Sequence, residues 1–191
     1  MCGQRKRTDG AGARFTPKIH YLTFSSVAYR LNNQYFTRLT IEQIAQFQPG
    51  RDKVLVSAPL AKADQTGEIH CPFPVHLPYE RDPINAAAAI LDIEKRYGIH
   101  LSDTERATTP LFHNGASQPY EHHFLHRMLR SVLTHLYGEQ TAQLFSFHSY
   151  RAGLATALHA AGVEDSIIQL ICRWMCPESL HRYRLIGLRE H

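Results

Sequence analysis

From Phe145 to Ile186 the chain runs FSFHSYRAGLATALHAAGVEDSIIQLICRWMCPESLHRYRLI, with apolar residues at helical rather than alternating spacing. A helix opens near His148 and is expected to bury Leu154 and Leu158. Another starts after Asp165 with Ile167, Ile168 and Ile171 inward, and a last one spans Pro177 to about Leu188. Upstream, Phe124, Leu125, Met128, Leu129, Val132, Leu133 and Leu136 recur at the same period before Gly138. They predict a helix over residues 120–137 with an apolar inner face. A further helix runs from Pro83 to Gly98, with Asp82 as its cap and Ala86 to Ala89 propagating it.

The N-terminal third reads differently. Tyr21 to Phe24, Val27 to Leu31 and Val54 to Val56 carry the aromatic and β-branched residues of strands. The segment from Asp52 to Phe73 reads as strand, polar turn and strand, with Lys62 entering the turn and Gly67 closing it: a β-hairpin. Pro72, Pro74 and Pro78 then mark a hinge between a sheet-bearing and a helical part of one domain. The expected fold is α+β, mainly helical, with a small antiparallel sheet beside the helices. No repeat or linker divides the chain further.

Composition narrows the class. At 191 residues, with 43% apolar and 20% charged residues, the chain is a globular domain rather than a disordered one. Its longest apolar run, Ala86 to Leu91, is far below the ~20 residues that span a bilayer, so no membrane partner is expected. Residues 1–15 carry Arg5, Lys6 and Arg7 and no apolar core, which reads as a basic flexible tail rather than a secretory signal. Cys2, Cys71, Cys172 and Cys176 are too few and too uneven for a disulfide framework, which fits a reducing compartment. A formal net charge of +4 permits a polyanionic partner without requiring one.

His148 and Arg151 stand three apart at the N-terminal turn of their helix, on one face and at the end that attracts anions. Alone the pair says little, because 13 His and 16 Arg give about one His-x-x-Arg by chance, and His181 to Arg184 repeats it. The spacing downstream adds specificity. Trp174 follows Arg151 by 23 residues and Tyr183 follows Trp174 by 9. With 9 Tyr and 14 His plus Trp, that double agreement arises by chance about 0.3% of the time.

This arrangement resembles the tyrosine recombinases, the phage-integrase family, in which a His-x-x-Arg is followed at these intervals by His or Trp and then by the nucleophilic tyrosine. Gly153, Ala155-Thr156, Ala161-Gly162-Val163 and Arg173-Trp174 look like the branch carried by eukaryotic mobile elements of the DIRS and crypton type. The resemblance is close over 145–186, moderate over 53–75 and weak elsewhere. It implies DNA strand cleavage and rejoining through a 3′-phosphotyrosyl intermediate, with double-stranded DNA as partner and self-association on DNA in full-length relatives. It implies no cofactor, metal, ATP or small-molecule substrate, and nuclear placement for a eukaryotic element or cytoplasmic placement otherwise. The hairpin with Lys62 is similar to the family's own, whose turn lysine contacts DNA and protonates the leaving 5′ oxygen.

The roles agree with the chemistry of the side chains. A phosphodiester under attack gains charge on its equatorial oxygens, and a fixed guanidinium such as Arg151 stabilises that state through two parallel donors. His148 titrates near neutrality and can donate to phosphate or exchange a proton with the nucleophile. Trp174 offers an indole N–H in place of the commoner histidine. Tyr183 would attack phosphorus and store the bond covalently.

The chain also departs from the pattern. The family's other arginine lies on a helix ahead of the hairpin, with Glu three residues later. The candidate here is Arg30, with Asn33 in the Glu position, in a stretch that reads as strand. The alternative places that helix upstream of Met1, making residues 16–191 an N-terminally truncated catalytic domain with no separate DNA-clasping domain. Cys172 replaces the glycine usual before Arg-Trp, and only eight residues follow Tyr183. A non-catalytic DNA-binding relic is therefore the second reading. A third, zinc binding, draws on Cys172-x3-Cys176-x4-His181 and on His122 and His126 one turn apart, without an obvious fourth ligand.

Overall fold

The computed structural model describes residues 21–57, 74–174, 178 and 180. It is mixed α+β, and the described residues divide into two compact units, 21–57 with 74–111 and 112 onward.

In the first unit, strands β1 (Val27–Leu31), β2 (Gln34–Phe36), β3 (Lys53–Val56) and β4 (Val75–Pro78) form one antiparallel sheet in the order β2-β1-β3-β4. The β1–β2 turn is Asn32-Asn33, both at positive φ (51° and 63°), as a type I′ hairpin turn requires; asparagine tolerates that region best after glycine. Along β1 burial alternates, with Val27, Tyr29 and Leu31 inside. Helix α1 (Ile41–Ala45), opened by a capping box of Thr40 and Gln43, links β2 to β3. Helices α2 (Ala86–Arg96) and α3 (Asp103–Thr108, capped by Ser102 and Glu105) complete the unit. Ala87, Ile90 and Leu91 of α2 share one core with Phe24, Tyr29, Val54 and Leu111.

Two buried polar clusters stitch this unit. Glu94 accepts from Tyr29 Oη at 2.9 Å and from Arg106 Nη1 at 2.8 Å. Arg106 also donates to the carbonyls of Gly98 and Thr37, and its guanidinium lies over the Phe24 ring. The partners are satisfied, as burial of charge demands. Burial, reinforced by the Glu94 carboxylate, pushes the Tyr29 hydroxyl far above the usual tyrosine range. Gly98 is required here by space, since a Cβ would overlap the Glu94 carboxylate. Asp52 is the second cluster: its carboxylate accepts the backbone N–H groups of Asn32 and Gln48 and both donors of a forked contact from Arg51.

In the second unit, α4 (His122–Tyr137) ends at Gly138, whose φ is +80°, and α5 (Glu139–Gln143) follows. Next come α6 (Phe147–Ala160) and α7 (Asp165–Cys172). Ala155, Ile168, Cys172 and Leu180 form its buried cluster, with Leu158, Val163 and Trp174 packed against it.

Several expectations need correction. The second hairpin strand is β4 at 75–78, and residues 58–73 lie outside the described ones. Pro78 thus sits in an edge strand, where a missing N–H is tolerated. Tyr21 to Phe24 is not a strand: Thr23 makes an isolated bridge to Pro110 and Phe24–Ser26 is a 3-10 turn. Asn85, not Asp82, caps α2, by accepting from Ala88 N; Asp82 instead accepts from Ile84 N in a turn just before it. The proline-rich stretch does not end the sheet-bearing part, because α2 and α3 belong to the sheet unit through their apolar contacts and Glu94–Arg106. In the helical unit, α4 has no buried residue, and Leu154, Ile167 and Ile171 are each more than two-fifths exposed. The α6–α7 contact is narrower than the periodicity suggests: on these two helices Ala155, Ile168 and Cys172 are buried in it and Leu158, half-buried, packs against them. The helix expected over Pro177 to Leu188 lies outside the described residues apart from Glu178 and Leu180, both helical.

Candidate functional site

The first two turns of α6 carry the His-x-x-Arg pair, and the start of the helix is fixed by a reciprocal capping box. Ser146 Oγ accepts from His148 N at 3.2 Å, and Ser146 N donates to Ser149 Oγ at 3.0 Å. Both His148 and Arg151 are exposed. The helix ends in a Schellman motif: Gly162 takes φ +76°, its N–H reaches the His159 carbonyl, and Val163 N–H reaches that of Leu158. That reversal returns the chain as α7 against the same face.

Helix α7 ends by the same device on a less suitable residue. Arg173 stands at φ +54°, Arg173 N–H bonds the Leu170 carbonyl and Trp174 N–H bonds that of Gln169 at 2.9 Å. The left-handed backbone costs a non-glycine residue about 1 kcal/mol. It turns Trp174 back toward α6.

There the two helices meet chemically. Arg151 Nη2 donates to the carbonyls of Cys172 and Arg173, two of those that the end of α7 leaves without helical partners. The guanidinium carbon lies 5.3 Å from the centroid of the Trp174 ring, within cation–π range. The negative end of the α7 dipole and the indole face thus fix the arginine from two sides. Its Nε and Nη1 donors have no hydrogen-bond partner among the described residues. Nη2 belongs to both forks of a guanidinium, so the parallel pair expected from sequence is partly occupied. An anion here meets Nε or Nη1 singly, or displaces a carbonyl.

Cys172 lies buried beneath this contact with a free thiol. Burial pushes its pKa up, and the nearby Arg151 charge opposes the rise without cancelling it, so the sulfur stays protonated at neutral pH. It serves as a small apolar residue packed on Ala155 and Ile168, which accounts for its place before Arg173-Trp174.

Of the residues singled out from sequence, His148, Arg151 and Trp174 fall in one unit, and Arg151 and Trp174 are in contact. Tyr183 and Lys62 lie outside the described residues, as do Cys71, Cys176 and His181. Arg30 sits in β1 of the other unit, donating to Asn33 Oδ1 at 2.6 Å, and not on a helix. Among the described residues no three His, Cys, Asp or Glu side chains gather as a metal site needs. His122 and His126 lie 5.6 Å apart between ring centroids. What sequence reasoning missed is the pair of α7 carbonyls that hold Arg151, since a backbone acceptor leaves no residue-type signal.

A groove of about 570 Å³ between α4, α5 and α6, lined by Leu133, Tyr137, Phe145, Tyr150 and Leu154, presents no charged side chain. It offers no cation to a phosphate. Among the described residues no helix is long and apolar enough to cross a membrane. Comparison with protein-family models, with curated proteins and with solved structures gives no match.

Proposed function

We propose that the helical unit is the phosphate-binding part of a tyrosine-type DNA recombinase, acting by strand cleavage and rejoining. The observation that carries this reading is Arg151: a guanidinium on the second turn of α6, tethered to the end of α7 and stacked on Trp174, with unspent N–H donors three residues from His148. Orienting the cation before substrate arrives is what makes it effective on developing charge. In the proposed reaction Tyr183 Oη attacks phosphorus, loses its proton to His148, and forms the phosphotyrosyl bond. The bond from phosphorus to the 5′ oxygen breaks, and Lys62 supplies that oxygen's proton. Arg151 and the Trp174 indole N–H hold the non-bridging oxygens. The energy of the broken ester is kept in the new one, so religation needs no metal or nucleotide.

The test is incubation of the chain with nicked duplex DNA in EDTA, followed by denaturing electrophoresis. A covalent adduct is expected with the unaltered chain. It should vanish in Tyr183→Phe and form ~10²–10³-fold more slowly in Arg151→Ala, the range for losing a preorganised oxyanion donor. No adduct, or one that survives Tyr183→Phe, would refute the catalytic reading. DNA binding without an adduct would instead identify a non-catalytic relic.

A further inference from the structure

We propose that the outer face of the sheet is a contact surface for the phosphate backbone of duplex DNA, along the row Tyr35–Arg30–Lys53 across β2, β1 and β3. This rests on the reading of DNA as the partner. The register sets Arg30 opposite Tyr35 on one side and opposite Lys53 on the other. Their neighbours Tyr29 and Val54 are also paired, and both enter the core, so the alternation of the strands turns Arg30 and Lys53 to the opposite face.

Two like charges directly across an antiparallel pair are unfavourable, whereas an opposite charge there is stabilising. Neither Arg30 nor Lys53 has an ion pair among the described residues. Arg30 bonds only the neutral Asn33 amide oxygen. The nearest acid in sequence, Asp52, is saturated by Arg51 and two backbone N–H groups. The row is therefore a cation pair that lacks its anion. Polyanionic phosphate suits it, because a guanidinium and an ammonium on side chains that leave strands about 5 Å apart can serve neighbouring oxygens.

The flanks favour a nucleic acid. Tyr35 is 66% exposed at the edge of the row and sets an aromatic ring beside the cations. His76, exposed on the next row and opposite Leu55, adds a donor on the same face. Leu55 itself is buried and Arg30 and Lys53 are half-buried, so Tyr35 and His76 are the exposed members of this face.

Anisotropy of a labelled 20-bp duplex, titrated with protein from 50 to 300 mM KCl, reads the contact as a slope. Each lost phosphate contact lowers the magnitude of the log–log salt slope by about 0.9. Arg30→Gln with Lys53→Gln should reduce it by about 1.8 and weaken binding several-fold at 100 mM, while Arg30→Lys keeps the slope. The control is Lys95→Gln with Arg96→Gln, the same loss of charge on α2, and it should leave the slope near the original. An equal fall in the control, or an unchanged slope in the sheet variant while the unaltered chain binds, overturns the strip and leaves the DNA reading standing. No binding by the unaltered chain at 50 mM overturns both.

Discussion

Asp52 shows how much one buried carboxylate can organise. It joins the β1–β2 turn, the approach to β3 and Arg51 through four hydrogen bonds. Burial acts to raise its pKa, but the Arg51 fork and the Gln48 and Asn32 amides outweigh it and hold the carboxyl below its usual value. Its stabilisation is thus fully present above the unfolded value of about 3.9 and is lost as pH falls through the lower folded value. Urea midpoints taken from pH 5 down to pH 2.5 should fall for the unaltered chain and fall less steeply for Asp52→Asn, which starts less stable. Equal slopes would show that this group does not control acid stability. Nothing in the sequence marks Glu94 or Arg106 as buried, because partners of each come from distant positions: Tyr29 lies 65 residues from Glu94, and the Thr37 carbonyl 69 from Arg106.

At the scale of elements, local rules account for most starts and stops. The Gly138 and Gly162 ends, the Asn32-Asn33 turn and the Ser102 to Glu105 cap all follow from backbone preference and short-range hydrogen bonds. Burial of helix faces did not follow so simply. The spacing of Phe124 to Leu136 correctly gave a helix, yet none of its residues is buried, since periodicity defines a face and not what covers it. The cap of α6 has a direct bearing on the site. Ser146→Ala removes the acceptor for His148 N and should destabilise the helical unit by about 1 kcal/mol. Thermal unfolding followed by Trp174 fluorescence would show it as a lowered midpoint. An unchanged midpoint would mean that the first turn of α6 is held by something other than its cap.

Over the whole molecule the two units are built on cores of different size. Twelve buried residues form the core of the sheet unit, against four in the helical unit among the described residues. Apolar burial is the main favourable term, so the helical unit should open first. Trp174, the single tryptophan, reports on that unit alone. Its fluorescence transition in urea is expected at a lower midpoint than the loss of amide protection in β1 and β3. Coincident transitions would show one cooperative fold instead. The amino-acid order by itself determined the class of fold, the 27–31 strand, the positions of the long helices and the 3, 23 and 9 spacing, because these depend on neighbours within a few turns or on counting. Only the tertiary structure decided that β4 pairs with β3, that Glu94 and Arg106 neutralise each other, and that the end of α7 holds Arg151 against Trp174. Those contacts join groups far apart in the chain, among them backbone carbonyls common to every residue, and only the folded geometry selects which of them meet.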